Sequence, residues 1–312
     1  MKKFMRMCFV LALVLIIVGS VLYMLGRGKN GRETMDEMLW DAGGDWMDLG
    51  NLFGAETVVD SGFAGYELDE VSIFDSDHTT WKGNLEKQLI GQGGVEQLAL
   101  DIGGSMVEIK DSGDENIYIE GKSIGKMQAY VEGNVLYVRS VRPANLAEEI
   151  KNSHIVIYLP EDCSMNMISV SLGAGQLQLG DMTVDNMQAS IGAGQLLMED
   201  MDIGYLEVSL GAGELRADNV TVQTLSASIG AGNMEFDGAI NESASISCSM
   251  GNVSMKLEGE KQDFNYQLSC VAGNMDIDGD SFAGAVMDRT IDNGAAKYMD
   301  IDCSMGNVEV DF

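Results

Sequence analysis

Histidine, the residue most often used to move protons and a common zinc ligand, occurs only twice in the 312 residues, as His78 and His154. His78 lies near Trp81 in a stretch with no partner motif, and His154 opens an apolar run, residues 155–159, where a surface structural role is expected. The five cysteines are Cys8, Cys163, Cys248, Cys270 and Cys303; none is in a Cys-x-x-Cys pair or beside a histidine, so a zinc site lacks its usual spacing. Carboxylates are abundant, 49 Asp and Glu against 19 Lys and Arg, for a net charge of −30. A surface that acidic repels phosphate backbones, which argues against nucleic-acid partners. It suits a polysaccharide lyase no better, because such an enzyme sets a basic residue beside its carboxylates, and Arg216 and Arg289 fall in unrelated registers. No catalytic, cofactor-binding or metal-binding residue is assigned, and enzymatic activity is not expected.

The elements that would carry any site are repetitive. Seven segments align as SLGAGQLQLGD, SIGAGQLLMED, SLGAGELRADN, SIGAGNMEFDG, SCSMGNVSMKL, SCVAGNMDIDG and DCSMGNVEVDF, with their shared glycines at Gly175, Gly194, Gly213, Gly232, Gly251, Gly273 and Gly306. The intervals are 19, 19, 19, 19, 22 and 33 residues. Constant spacing followed by insertions is what a stack of coils produces, since extra residues can bulge from one coil without disturbing its neighbours.

Parity within a repeat gives the shape of a coil. Before the glycine, apolar residues alternate with polar ones, as in Ile168, Val170 and Leu172, or Leu206, Val208 and Leu210. After it they resume with shifted parity, as in Leu177 and Leu179, or Met234 and Phe236, so the chain must bend at the glycine. A third apolar pair follows an Asp or Asn turn in the regular repeats: Met182 and Val184, Met201 and Ile203, Val220 and Val222. Three short faces in about 19 residues close a coil. The expected fold is therefore all-β, a single-stranded parallel β-solenoid with Leu172, Ile191, Leu210 and Ile229 in one interior column.

Two further rows follow from this register. The residue after the glycine is Gln176, Gln195, Glu214, Asn233, Asn252, Asn274 or Asn307, a corner ladder whose amides can bond between coils and where Asn tolerates left-handed backbone. Cys248, Cys270 and Cys303 occupy the position held elsewhere by Leu172 and Ile191, so they read as buried hydrophobes stacked inside, with an inter-coil disulfide as the alternative. From residue 161 onward 25 acidic residues face five basic ones, with Asp181, Asp200 and Asn219 at one corner; this reads as a solvated acidic face that could hold calcium only adventitiously.

Upstream, LALDIGGSMVEI repeats the pattern through Leu98, Leu100, Ile102, Val107 and Ile109, and Val131-Glu132-Gly133-Asn134-Val135 reads as a hairpin. Residues 7–25 carry no charge and are long enough to span a bilayer as a helix, longer than a typical signal-peptide core, although Val18-Gly19-Ser20 leaves cleavage open. The expected organisation is a membrane anchor at 1–27, an acidic juxtamembrane linker at 28–94, irregular β coils and a cap at 95–165, and regular coils at 166–312. Basic residues on both sides of 7–25 leave orientation undecided, with the β domain outside as the simpler topology. Phe312 is expected to end the stack on a strand whose Glu309 and Asp311 discourage edge growth.

The strand ending in Leu159-Pro160, the SLGAG and SIGAG repeats and the closing CSMGNVEVDF together resemble the bacterial adhesin-like domain of β-strand repeats, the toast-rack or DUF4097 type, over residues 95–312. The resemblance implies a membrane-tethered envelope protein and carries no catalytic residues with it. The expected function is a non-enzymatic binding or scaffolding surface on the cell membrane, with a protein or glycan partner, no cofactor and an undetermined oligomeric state. The alternative is a membrane-associated polymer of stacked solenoids. The insertion at 281–298, with Met287, Arg289 and Ile291, departs most from the repeat and is the expected partner contact.

Overall fold

The computed structural model describes residues 74, 77–141, 153–160, 164–283 and 287–312, all within one unit, Thr57–Phe312. The segment 7–25, most of the linker, Cys8 and Cys163 lie outside the described residues. No helix among the described residues is long and apolar enough to cross a membrane.

The described chain is all-β. Its N-terminal part runs through β1 (Trp81–Gln92), β2 (Gln97–Ile102), β3 (Met106–Asp111), β4 (Asn116–Glu132), β5 (Val135–Val141) and β6 (His154–Leu159). The middle holds β7 (Ser164–Leu172), β8 (Gln176–Ile191), β9 (Gln195–Leu210), β10 (Glu214–Ile229), β11 (Asn233–Cys248) and β12 (Asn252–Leu257). The last part is β13 (Phe264–Cys270), β14 (Asn274–Ile277), β15 (Asp280–Ala283), β16 (Met287–Ile291), β17 (Lys297–Cys303) and β18 (Asn307–Asp311). Residues 81–92, expected within the linker, are thus a strand paired with β4.

From β7 to β11 the strands pair in parallel, each residue beside its counterpart one repeat away, giving a solenoid-like stack. Leu172, Ile191, Leu210 and Ile229 are registered neighbours and all buried, so the interior column exists. Two parallel columns, Leu177–Leu196–Leu215–Met234 and Val184–Ile203–Val222–Ile240, build the other faces. Alternating apolar residues make this work, because each strand turns one set of side chains into the core and leaves the other in water.

The glycine column is there for closeness and not for left-handed backbone. A Cβ on Gly213 would lie 2.4 Å from the carbonyl oxygen of Gly194, and one on Gly306 would lie 2.5 Å from the Cys248 sulfur. In the regular coils β8 to β10 the left-handed non-glycine residues are Asp181, Asp200 and Asn219, with φ of 52°, 53° and 54°. This corrects the expectation that put that conformation in the amide row: Asp and Asn tolerate it and take the sharp corner, while Gln176 and Gln195 open extended strands. In the next coil the corner loses one residue, since Ala217 pairs with Phe236 but Val220 with Gly238, and the residue is regained before Thr224, which pairs with Ser243.

Coil order departs from sequence order at both ends. β17 lies between β11 and β13, and β18 between β12 and β14, so the final coil is inserted into the stack. The cysteine column exists but reads Cys248–Cys303–Cys270, and all three are buried free thiols. Phe312 therefore does not end the stack. The outermost C-terminal coil is β13–β14, covered by antiparallel β16 and β15. The N-terminal end mirrors this: β2 lies between β5 and β7, β3 between β6 and β8, and β4 runs antiparallel over both β5 and β6, with β1 outside it. The β4–β5 turn is the expected hairpin at Gly133.

Candidate binding cleft

The inserted coil places residues distant in sequence side by side. One outward-facing row on consecutive strands reads Tyr205, Thr224, Ser243, Tyr298 and Asn265. Two residues further along the strands, a second outward row reads Glu207, Ser226, Ser245, Asp300 and Gln267. The small hydroxyl residues of β10 and β11 form a depression between Tyr205 on β9 and Tyr298 with Asp300 on β17. Three strand spacings, about 14 Å, separate the two tyrosine backbones.

The depression belongs to a cleft of about 720 Å³ that continues over β13 to Thr290, Ile291 and Asp292 at the cap. Side-chain hydrogen bonds fix its far end. Asn265 donates from Nδ2 to the Ala295 carbonyl at 2.8 Å, and its Oδ1 accepts from the Asn293 and Ala295 amides at 2.9 and 3.2 Å. Thr290 Oγ1 donates to Gln267 Oε1 at 2.7 Å, and Gln267 Nε2 donates to Asp288 Oδ1 at 3.0 Å. Tyr298 is 61% exposed. Burial pushes the Asp300 carboxyl above the usual carboxylate range, and the negative charge of Asp302 adds to this. On the other side Glu207 accepts from Gln188 Nε2 at 3.3 Å and is not among the residues lining the cleft.

The insertion at 281–298 therefore does two things. As β15 and β16 it covers the last coil, and with Thr290, Ile291, Asp292 and Tyr298 it lines the cleft. Of the residues singled out there, Ile291 lines the cleft, whereas Arg289 lies with its guanidinium 5.2 Å from the Phe282 ring centre, and Met287 packs against the core. Sequence reasoning missed Tyr205 and Tyr298. Each is a large aromatic at an outward slot filled elsewhere by Asn186, Thr224, Ser243 or Asn265, and that was the available signal.

The remaining candidates are structural. The amide row bonds between coils through Gln195 to Glu214, Asn252 to Asn233 and Asn274 to Asn307, each at 3.0 Å. At the acidic corner Asn219 donates to Asp200. Among the described residues no group of three His, Cys, Asp or Glu is placed to hold a metal ion. His154 approaches Glu108 at 3.3 Å, and His78 stacks on Tyr130 with ring centres 3.5 Å apart. Glu108 is held below the usual carboxylate range chiefly by its hydrogen bond from Lys110. Burial holds the thiol of Cys270 above its ordinary value, and the hydrogen bond with the Cys248 thiol, with burial second, does the same for Cys303.

The repeat pattern and the stacked, capped β architecture define a class, the toast-rack domains of β-strand repeats. The chain belongs to the Toastrack DUF4097 family, whose model matches residues 95–280. No match was found among curated proteins. Among solved structures the chain is similar to a "putative adhesin" from Bacteroides fragilis, at 12% identity and a TM-score of 0.41, over 76% of this chain and 98% of that one. It is also similar to a "putative cell adhesion protein" from Clostridium sporogenes, at 13% identity and a TM-score of 0.31, over 72% and 97%. A "putative lipid binding protein" from Parabacteroides distasonis matches at 13% identity and a TM-score of 0.34, over 72% and 96%.

Proposed function

We propose that the protein is a membrane-anchored, non-enzymatic binding domain, held by residues 7–25 with its β-solenoid outside the cytoplasm. The observation that carries the reading is a cleft lined by hydroxyl, amide, carboxylate and tyrosine side chains together with Leu225, Ala244, Ile291 and Met299, with no histidine or thiol among the described residues that line it, on a stack closed at both ends. Such a surface can hold a ligand by hydrogen bonds and ring contacts. Among the described residues, none of the hydroxyls lining it is hydrogen-bonded to a histidine or a carboxylate, the pairing that activates a hydroxyl nucleophile.

The polymer reading is less well supported. Head-to-tail stacking needs open terminal coils with unpaired parallel edges. Here β1 and β4 cover one end and β15 and β16 the other, all antiparallel to the strands they cover, and Asp288 and Arg289 on β16 put charge on that edge. Sedimentation of a soluble fragment separates the two. The fragment should start at Asp77, because starting at Val95 would remove β1. A monomer at neutral pH is expected, and filaments would refute the reading. Capture of envelope components by the same fragment tests the binding role, and the absence of any captured component would count against it.

A further inference from the structure

The cleft's chemistry narrows the ligand class, on the assumption that the domain is a binding domain. Its floor is a two-by-two grid of hydroxyls, Thr224, Ser226, Ser243 and Ser245, and its sides are Tyr205, Tyr298 and Asp300. Hydroxyls both donate and accept, and a carboxylate accepts from two adjacent hydroxyls at once, so the set suits a partner that presents many hydroxyls. An exposed phenol ring offers a flat apolar face with a polar tip, which suits a surface that alternates C–H and O–H groups. The second carboxylate of the cleft, Asp292, has its Oδ1 engaged by the Gly294 amide at 2.9 Å. Among the described residues no lysine or arginine lines the cleft, and a chain of net charge −30 repels anions, which argues against phosphorylated, sulfated and uronic-acid ligands.

We infer that the cleft spanning β9, β10, β11, β17, β13 and β16 is a binding site for an uncharged oligosaccharide, with Tyr298 as the ring platform and Asp300 accepting from a pair of sugar hydroxyls. The cleft crosses five strand spacings, about 24 Å, so an extended chain fits it better than a single ring. It faces outward and is open, so a ligand can enter from the middle of a polymer and needs no free chain end.

The test uses the full chain in detergent, titrated by calorimetry with cellohexaose, chitohexaose (the N-acetylglucosamine hexamer), xylohexaose and mannohexaose as uncharged probes. Polygalacturonate serves as the anionic probe and spermidine as the cationic one. The expected result is binding of at least one uncharged hexamer with an affinity that hardly changes between 50 and 500 mM salt. Binding should weaken about tenfold in Tyr298→Ala and be lost in Ser243→Arg, which fills the floor, with far-UV circular dichroism unchanged in both. Spermidine binding that disappears in high salt, with no uncharged hexamer bound, would overturn the assignment in favour of a cationic ligand. So would preference for polygalacturonate, failure of all the probes, or hexamer binding indifferent to both substitutions. If envelope capture persists unchanged in Ser243→Arg, the domain binds through another face, and only the saccharide assignment falls.

Discussion

If successive coils pack as closely as the glycine column indicates, then a single methyl group in that column should be expensive. Gly213 is the best place to add one, because it lies mid-stack and its φ is not in the left-handed region, so Gly213→Ala adds bulk without backbone strain. The new Cβ would sit 2.4 Å from the Gly194 carbonyl oxygen and 2.8 Å from Ile191 Cγ2, whereas ordinary contact begins near 3.4 Å. Relief requires the coils to part by most of an ångström at this corner. That would stretch the bond from the Glu214 amide to the Gly194 carbonyl, now 2.9 Å, and disturb the Ile191 packing. A weakened buried hydrogen bond costs roughly 0.5–1.5 kcal/mol and a forced core shift roughly 1–3 kcal/mol, so the sum is about 2–4 kcal/mol. For a domain of this size that lowers Tm by about 5–15 °C. Gly180→Ala is the control, because its Cβ would lie 3.2 Å from its nearest backbone atom, the Glu199 carbonyl oxygen, and should cost under about 1 kcal/mol. Thermal melts followed by circular dichroism read both variants. A Gly213→Ala protein that melts with the wild type, or above Gly180→Ala, would refute the in-register parallel stacking from which every later argument proceeds.

The thiols and a cleft carboxylate supply two further checks. In a Cys8→Ser, Cys163→Ser variant, Cys248, Cys270 and Cys303 are buried and free, so Ellman's reagent should find no reactive thiol in the native state and three after unfolding; one thiol after unfolding would mean a disulfide in the column. The Asp300 carboxyl is raised by burial and by the charge of Asp302, so its ionised form destabilises the fold. The cost is present above its folded value and absent below the ordinary carboxylate value, which means that Asp300→Asn should raise Tm by about 1–2 °C at pH 7 and leave it unchanged near pH 3. A lower Tm at pH 7 would contradict that reading.

How much of this was legible in advance depended on whether the information was local. The interior columns were, because alternation and the 19-residue interval both follow from residues within one coil, and Leu172, Ile191, Leu210 and Ile229 stack as that interval requires. The hairpin at Gly133 was legible for the same reason. The ends were not. Nothing in Cys270 or Cys303 says which lies beside Cys248, since both present the same small apolar group at the same position. Order there is decided by which coil can carry a cap: the segment after β14 turns straight back as β15 and then β16, so β13–β14 must be outermost, and the final coil takes the gap. The left-handed corner was assigned to the amide row because Asn is compatible with it, but Asp181, Asp200 and Asn219 are equally compatible and sit where the chain turns most sharply.

The inserted coil also explains why the cleft was invisible in the sequence. Tyr298 is 55 residues from Ser243 and is its direct neighbour across β11 and β17, so no local pattern could join them. The same insertion ties the cleft to the completeness of the fold. β17 pairs on one side with a regular coil and on the other with the capped one, so the residues facing the cleft from β9, β10 and β11 meet those from β13 and β16 only through it. A chain that stopped before β17 would leave Ser243 and Ser245 on an open strand edge, with neither Tyr298 nor Asp300 beside them. Closing the stack and completing the cleft are therefore a single structural event. That coupling gives a physical reason for a long insertion to sit at 281–298 and not at the regular corners, where the coils from β7 to β11 tolerate so little extra bulk.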